Sequence, residues 1–175
     1  MEQKQYTEQW ITTIGDKCVW TISLDKEKLF RETSTRSLLF INQNSKMPVT
    51  SDSNIILDDD KNIFNRYLTL AVEDLTVLLA RRIPQSKDDY PDEFKDIDKP
   101  IDNTSEKIQF CLLMSDNHDS NMHSPLVNNC REFLVRSILE KWYNVDFNSL
   151  DAERKIVHIL QYRRKSPARK VRPLL

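Results

Sequence analysis

Apolar residues recur at helical spacing in four stretches of the chain and alternate at strand spacing in two. Residues 18–24, CVWTISL, alternate and predict a strand. Asp25 then offers an N-cap, and Leu29, Phe30, Ser34, Ser37, Leu38 and Ile41 fall near helical spacing, which predicts a helix over 26–41. Residues 42–54 have loop composition. The clearest helix covers 61–83, where Phe64, Tyr67, Leu68, Ala71, Leu75, Leu78 and Leu79 make one continuous stripe. Asp58, Asp59 and Asp60 precede it and complement the positive end of its dipole, Arg81 and Arg82 sit in its last turn, and Pro84 stops it.

Ile108, Phe110, Leu112 and Met114 alternate with Gln109, Cys111 and Leu113, which predicts a second strand, apolar on both sides and therefore covered. After a polar connection, Ser124 as cap and Pro125 at the first position open a helix over 125–143. Its stripe runs through Val127, Cys130, Phe133, Leu134, Ser137, Ile138 and Trp142, and its length matches that of 61–83, so the two helices are expected to pack together. A last helix begins near Asp151, presents Ala152, Ile156, Ile159 and Leu160, and ends before Ser166 and Pro167.

The pattern is that of a mainly α chain with a small β element, an α+β helical bundle. Residues 1–162 form the helical domain with a β excursion, and 163–175 form an extended C-terminal arm. Within the domain, residues 84–106 hold eight acidic residues, three lysines and three prolines, which predicts a long irregular acidic loop. The arm, RRKSPARKVRPLL, has six basic residues and no acidic ones, and its two prolines keep it extended.

Composition sharpens this. The net charge is −1, so the whole chain is not a generic nucleic-acid binder, yet the charge is segregated. Gly15 is the one glycine, where an average chain of this length carries about 12. Phosphate-cradling loops, nucleophile elbows and dinucleotide fingerprints need glycines, so the enzyme classes built on them are excluded. Cys18, Cys111 and Cys130 are odd in number and widely spaced, which implies no disulfide framework and a reducing compartment. The polar N-terminus does not read as a signal peptide, and no apolar run reaches membrane-spanning length; the expectation is a soluble chain made in the cytoplasm.

Candidate chemistry is sparse. His118 and His123 share a segment with Asp116 and Asp119, but their spacing fits no standard zinc pattern, and a solvated polar turn is the expectation. Asp58-Asp59-Asp60-Lys61-Asn62 lacks the glycine and glutamate of a calcium loop, and helix capping explains its acids. Nothing fixes a nucleophile beside a base, so no catalytic residue, metal site or cofactor is expected. Partner-binding residues are expected in the arm (Arg163, Arg164, Lys165, Arg169, Lys170, Arg172, Leu174, Leu175) and in the acidic loop (Asp88, Asp89, Asp92, Glu93). Terminal leucines favour docking into a protein partner over a purely electrostatic arm.

The order of elements resembles small neck or head–tail connector proteins of tailed bacteriophages, particularly those of gut Bacteroidales phages. The resemblance covers most of the chain. It runs from a Trp-containing stretch (CVWTISLDKEKLF) through an acidic-capped helix (DDDKNIFNRYLTLAVEDLTVLLARRIP) and a strand (KIQFCLLM) to a helix ending in Trp (REFLVRSILEKWYNV) and an Arg/Pro tail (YRRKSPARKVRPLL). The insertion at 84–106 departs from it most. The resemblance implies a virion protein, a subunit of a homo-oligomeric ring below the portal. The ring would join capsid to tail, contact portal, tail or other neck proteins, and let DNA pass without sequence-specific binding. The alternative is a nucleic-acid-binding regulator, with the helix at 125–143 in a groove and the basic tail on phosphates. Against it, that helix interleaves Arg131, Arg136 and Lys141 with Glu132 and Glu140. A small enzyme with a non-motif site is a third option.

Overall fold

The computed structural model describes residues 11–14, 17–44, 55–84, 101–103, 106–115 and 117–162, with residues 11–14 and 17 as backbone only. Along the chain these form β1 (Ile11–Ile14), β2 (Lys17–Asp25), α1 (Lys26–Gln43), α2 (Lys61–Leu79), β3 (Ile101–Asp102), β4 (Lys107–Ser115), α3 (His123–Tyr143) and α4 (Ser149–Gln161). The fold is mainly α with a small β component, as the periodicities predict. The acidic residues 88–98 and the arm 163–175 lie outside the described residues.

The strands make one antiparallel sheet in the order β1-β2-β4-β3. Its centre is the long β2/β4 pair, in which Trp20 stands opposite Leu112, Ile22 opposite Phe110 and Leu24 opposite Ile108. Strand side chains alternate between faces. Cys18, Trp20, Ile22, Leu24, Ile108, Phe110, Leu112 and Met114 therefore share one face, and they merge with the buried residues of all four helices into a single core. The sheet is larger than the expected excursion. β1 was not foreseen, and β3 falls at the end of the segment read as an irregular acidic loop.

The middle helix of the helical layer is α3, which touches α1, α2, α4 and β2. It is accordingly buried around more of its circumference than one stripe: Leu126, Val135 and Leu139 join Cys130, Phe133, Leu134, Ser137 and Ile138, while Val127 and Trp142 are only partly covered. The α2/α3 packing expected from their stripes is present, with Leu75 fully buried.

Local chemistry sets the boundaries. Asp25 caps α1, its carboxylate accepting the Lys28 N–H at 2.9 Å. The α1 face differs from the expected stripe. Leu38 is exposed, and the inward positions are Leu29, Phe30, Thr33 and Ser37. Those hydroxyls are satisfied locally: Thr33 donates to the Leu29 carbonyl at 2.7 Å, and Ser37 donates to the Ser34 carbonyl and accepts the Ile56 N–H at 3.0 Å. The three acids before α2 form a 3-10 turn, and Asp60 folds back to accept the Leu57 N–H at 2.8 Å without capping α2 by a hydrogen bond. The helix gives way to a 3-10 turn at Ala80–Arg82.

Ser124 is not the cap of α3. The helix starts at His123, two residues before the expected Pro125, continuous with a 3-10 turn at Ser120–Met122 that Asp119 initiates by accepting the Asn121 N–H at 3.0 Å. Pro125 therefore lies within the first turn, where its missing N–H had no partner to lose. Asn144 and Asn148 take left-handed backbone at the two ends of the α3–α4 connection, which asparagine tolerates better than most residues. Two residues earlier than expected, α4 begins at Ser149.

Candidate functional site

His118 and His123 are not in a solvated turn: both are buried, and both rings pack edge-to-face with the indole of Trp20, centroids 6.2 Å and 5.7 Å away. The Nε2 of His123 lies 2.9 Å from the Thr21 carbonyl on β2. That of His118 lies 3.2 Å from the Leu160 carbonyl near the end of α4, which Arg82 also reaches at 2.9 Å. A carbonyl only accepts, so Nε2 of His123 carries the proton toward Thr21, while His118 has a carbonyl at each ring nitrogen, that of Ser115 lying 3.2 Å from Nδ1. Nδ1 of His118 faces Ser115, 3.0 Å from its hydroxyl. Burial pushes the His123 pKa below the ordinary histidine range, the bond to Thr21 opposing it. The pair thus ties the end of β4 and the start of α3 to β2 and α4. Asp116 lies outside the described residues, and among the described residues no group of three or more His, Cys, Asp or Glu side chains is placed to hold a metal ion.

The three cysteines are buried and unpaired by disulfides. Burial raises the thiol pKa of Cys111, which is bonded to Gln109 and Thr21, and more strongly that of Cys130. These are thiols that pack.

A cleft of about 670 Å³ opens between the N-terminal ends of α1 and α2, lined by Asp25, Glu27, Phe30, Lys61, Phe64 and Glu106. Across it Glu27 and Lys61 join α1 to α2, while Asp25 caps α1 and Lys26 reaches the Asn103 carbonyl. Lys61 pairs with Glu27 at 3.1 Å while resting over the Phe30 ring at 5.0 Å, and its hydrogen bond holds the Glu27 carboxyl below its usual pKa. A second concavity, about 320 Å³, lies between α2, α3 and α4. Asp74, Glu140 and Glu153 stand around it, with Leu78 and Phe133 as apolar lining and Lys141 as its cation.

The basic residues of α3 are engaged. Arg36 of α1 forms a bidentate pair with Glu132 and also bonds Glu32 at 2.7 Å. Arg136 bonds Glu132 at 3.0 Å and approaches Asp151 at 3.6 Å, Arg131 approaches Glu32 at 3.5 Å, and Lys141 pairs with Asp74 at 3.4 Å. This half-buried ladder staples α1, α3 and α4. Its principal bond, Arg36 to Glu132, lowers the Glu132 pKa and raises that of Arg36.

What remains for partners is the outer surface. Ile63, Leu70 and Val77 are 45%, 46% and 74% exposed on α2, and Leu38, Leu39 and Leu150 are also exposed. The α2 residues are seven apart, a signal present in the sequence and masked there by the stronger inward stripe. The expected partner-binding residues Asp88, Asp89, Asp92, Glu93, Arg163, Arg164, Lys165, Arg169, Lys170, Arg172, Leu174 and Leu175 all lie outside the described residues. No helix among the described residues is long and apolar enough to cross a membrane. In comparisons with family models, curated proteins and solved structures, nothing matches this chain.

Proposed function

We propose that this chain is a non-enzymatic assembly protein, a subunit of an oligomeric ring of the kind that joins a phage portal to a tail and lets DNA pass. The arm at 163–175 and the acidic loop at 84–106 would be its coupling segments. The observation that carries this reading is the groove between α2, α3 and α4. The groove is net acidic over Leu78 and Phe133, with Glu153 beside Asp74, which pairs with Lys141, and Glu140, which caps α4; an arm with six cations and two leucines would complement it. An arm of one subunit seated in the groove of the next is a heterologous contact, the type that closes rings. The position of α3 at the centre of the helical layer, with its cations paired, leaves a nucleic-acid reading to rest on the tail.

Deleting residues 166–175 tests the proposal. Thermal unfolding is expected to stay nearly unchanged, because the deleted residues lie beyond α4, while assembly measured by sedimentation weakens by on the order of tenfold or more. Leu174→Ser with Leu175→Ser is expected to reproduce most of that loss. A phosphate-binding arm would barely register the two leucines. Normal assembly of the double variant, with DNA affinity lost on deletion, would replace the connector reading with the nucleic-acid one.

A further inference from the structure

We infer that α2 carries a self-association surface: the seam of Ile63, Leu70 and Val77 packs antiparallel against the same seam of a second copy of this chain, with the two-fold axis at Leu70. Single exposed apolar residues are ordinary on a protein surface. Three at seven-residue intervals on one helix are different. A straight helix drifts by only about 20° per seven residues, so the three stay within about 40° of one line. That line runs opposite the inward face of Phe64, Leu68, Ala71 and Leu75. From Ile63 to Val77 it is about 21 Å long at 1.5 Å per residue.

The charges flanking the seam choose the occupant and its direction. Arg66 and Glu73 lie on the same side of it, both exposed, with Asp59 before its start and Arg81 beyond its end. In an antiparallel pair turned about Leu70, Ile63 stands level with Val77 of the second copy. Arg66 comes within about one residue's rise of Glu73 of the second copy. Asp59 comes level with Arg81 of the second copy. The symmetry makes each of these pairs twice. A parallel pair would instead carry the Arg66 and Glu73 side of one copy to the far side of the seam from that of the other, so neither charge pair could form, and would set Asp59, near the seam line, level with its own copy.

One helix face of this length falls short of the roughly 1,200 Å² at which specific interfaces become stable, so the contact is a weak one. It goes beyond the ring proposal, since a ring needs two different surfaces and this contact uses one surface twice. Val77 also borders the α2/α3/α4 groove, so the two contacts share an edge.

Engineered cysteines on the full chain read the register, because the native Cys18, Cys111 and Cys130 are buried. Under mild oxidation Leu70→Cys is expected to form disulfide-linked dimers, and Ile63→Cys alone to form few. A mixture of Ile63→Cys and Val77→Cys chains should yield the mixed dimer. Efficient self-crosslinking of Ile63→Cys with none at Leu70→Cys would overturn the antiparallel register. In sedimentation equilibrium, Leu70→Glu should weaken association about tenfold or more. Arg66→Glu or Glu73→Arg alone should each weaken it about threefold, and the two combined should restore it. Failure of the combined reversal to restore association would remove the charge argument. A chain that stays monomeric at every concentration, and whose melting temperature drops with Leu70→Glu, would place a segment of the same chain on the seam and overturn the proposal. Deleting 166–175 leaves this contact intact, so its failure and the failure of the arm are separable.

Discussion

Trp20 packs edge-to-face with two buried histidines whose burial the sequence conceals. His118 and His123 sit in a stretch of serines, aspartates and asparagines, so composition assigns them to solvent. Their burial is a tertiary fact. The β2/β4 sheet sets Trp20 inward, and the turn before α3 passes over it. The consequence is pH dependence of known sign. Burial keeps the folded-state pKa of His123 below its unfolded value near 6.5. The unfolded chain then binds more protons, so the stability contributed by neutral His123 is complete above about pH 6.5 and is lost as pH falls toward the folded pKa. Glu132, lowered by its bond to Arg36, acts in a separate window: its contribution is complete above the unfolded carboxylate value near 4.3 and is lost as pH falls below it. Urea unfolding between pH 7.5 and 5.5 should show declining stability in the native chain. The decline should flatten in His123→Gln, which keeps a donor toward the Thr21 carbonyl, and His123→Ala should lose roughly 2–3 kcal/mol across the range. An undiminished slope in His123→Gln would assign the titration elsewhere.

Element by element, most of the fold was legible. The four helices and the β2 and β4 strands follow from period, and Asp25 from its capping chemistry. The misses have local reasons. Ile11–Ile14 is a short strand of a hairpin, and the only hint was the Gly15-Asp16 pair between ITTI and KCVW, a two-residue hairpin signature. Hydrophobicity alone places Leu38 inward, whereas Thr33, outside the expected stripe, is admitted because its hydroxyl finds a backbone partner; Ser37, within that stripe, is buried as expected and bonds backbone too. A contact invisible to local pattern starts α4. Glu140 of α3 accepts the N–H groups of Phe147 and Ser149, at 3.1 Å and 3.0 Å, and the Ser149 hydroxyl at 2.6 Å, so a side chain from another helix supplies the cap. Glu140→Ala should cost about 1–2 kcal/mol in denaturant unfolding, the range of lost helix caps. Glu153→Ala, on α4 itself, should stay within about 0.5 kcal/mol. Equal effects of the two would remove the capping role.

At the scale of the molecule, two kinds of surface are proposed to act together: a two-fold seam on α2, and a groove that takes the arm of a neighbour. The seven-residue spacing of Ile63, Leu70 and Val77 is present in the sequence, but the stronger inward stripe of α2 masks it. The groove was not readable there, since Asp74, Phe133 and Glu153 come from three helices and meet only through the packing around α3. The segregated charge of the chain is legible as segments, and the groove is the counterpart proposed for the basic arm. The two surfaces differ in one countable consequence. A two-fold contact stops at two chains, while a head-to-tail contact continues until a ring closes. Light scattering of the full-length chain without nucleic acid, taken from micromolar concentration upward, therefore tests the proposed function most directly. The expected mass climbs past two chains toward one closed species, and a mass that levels off at one or two chains contradicts the ring.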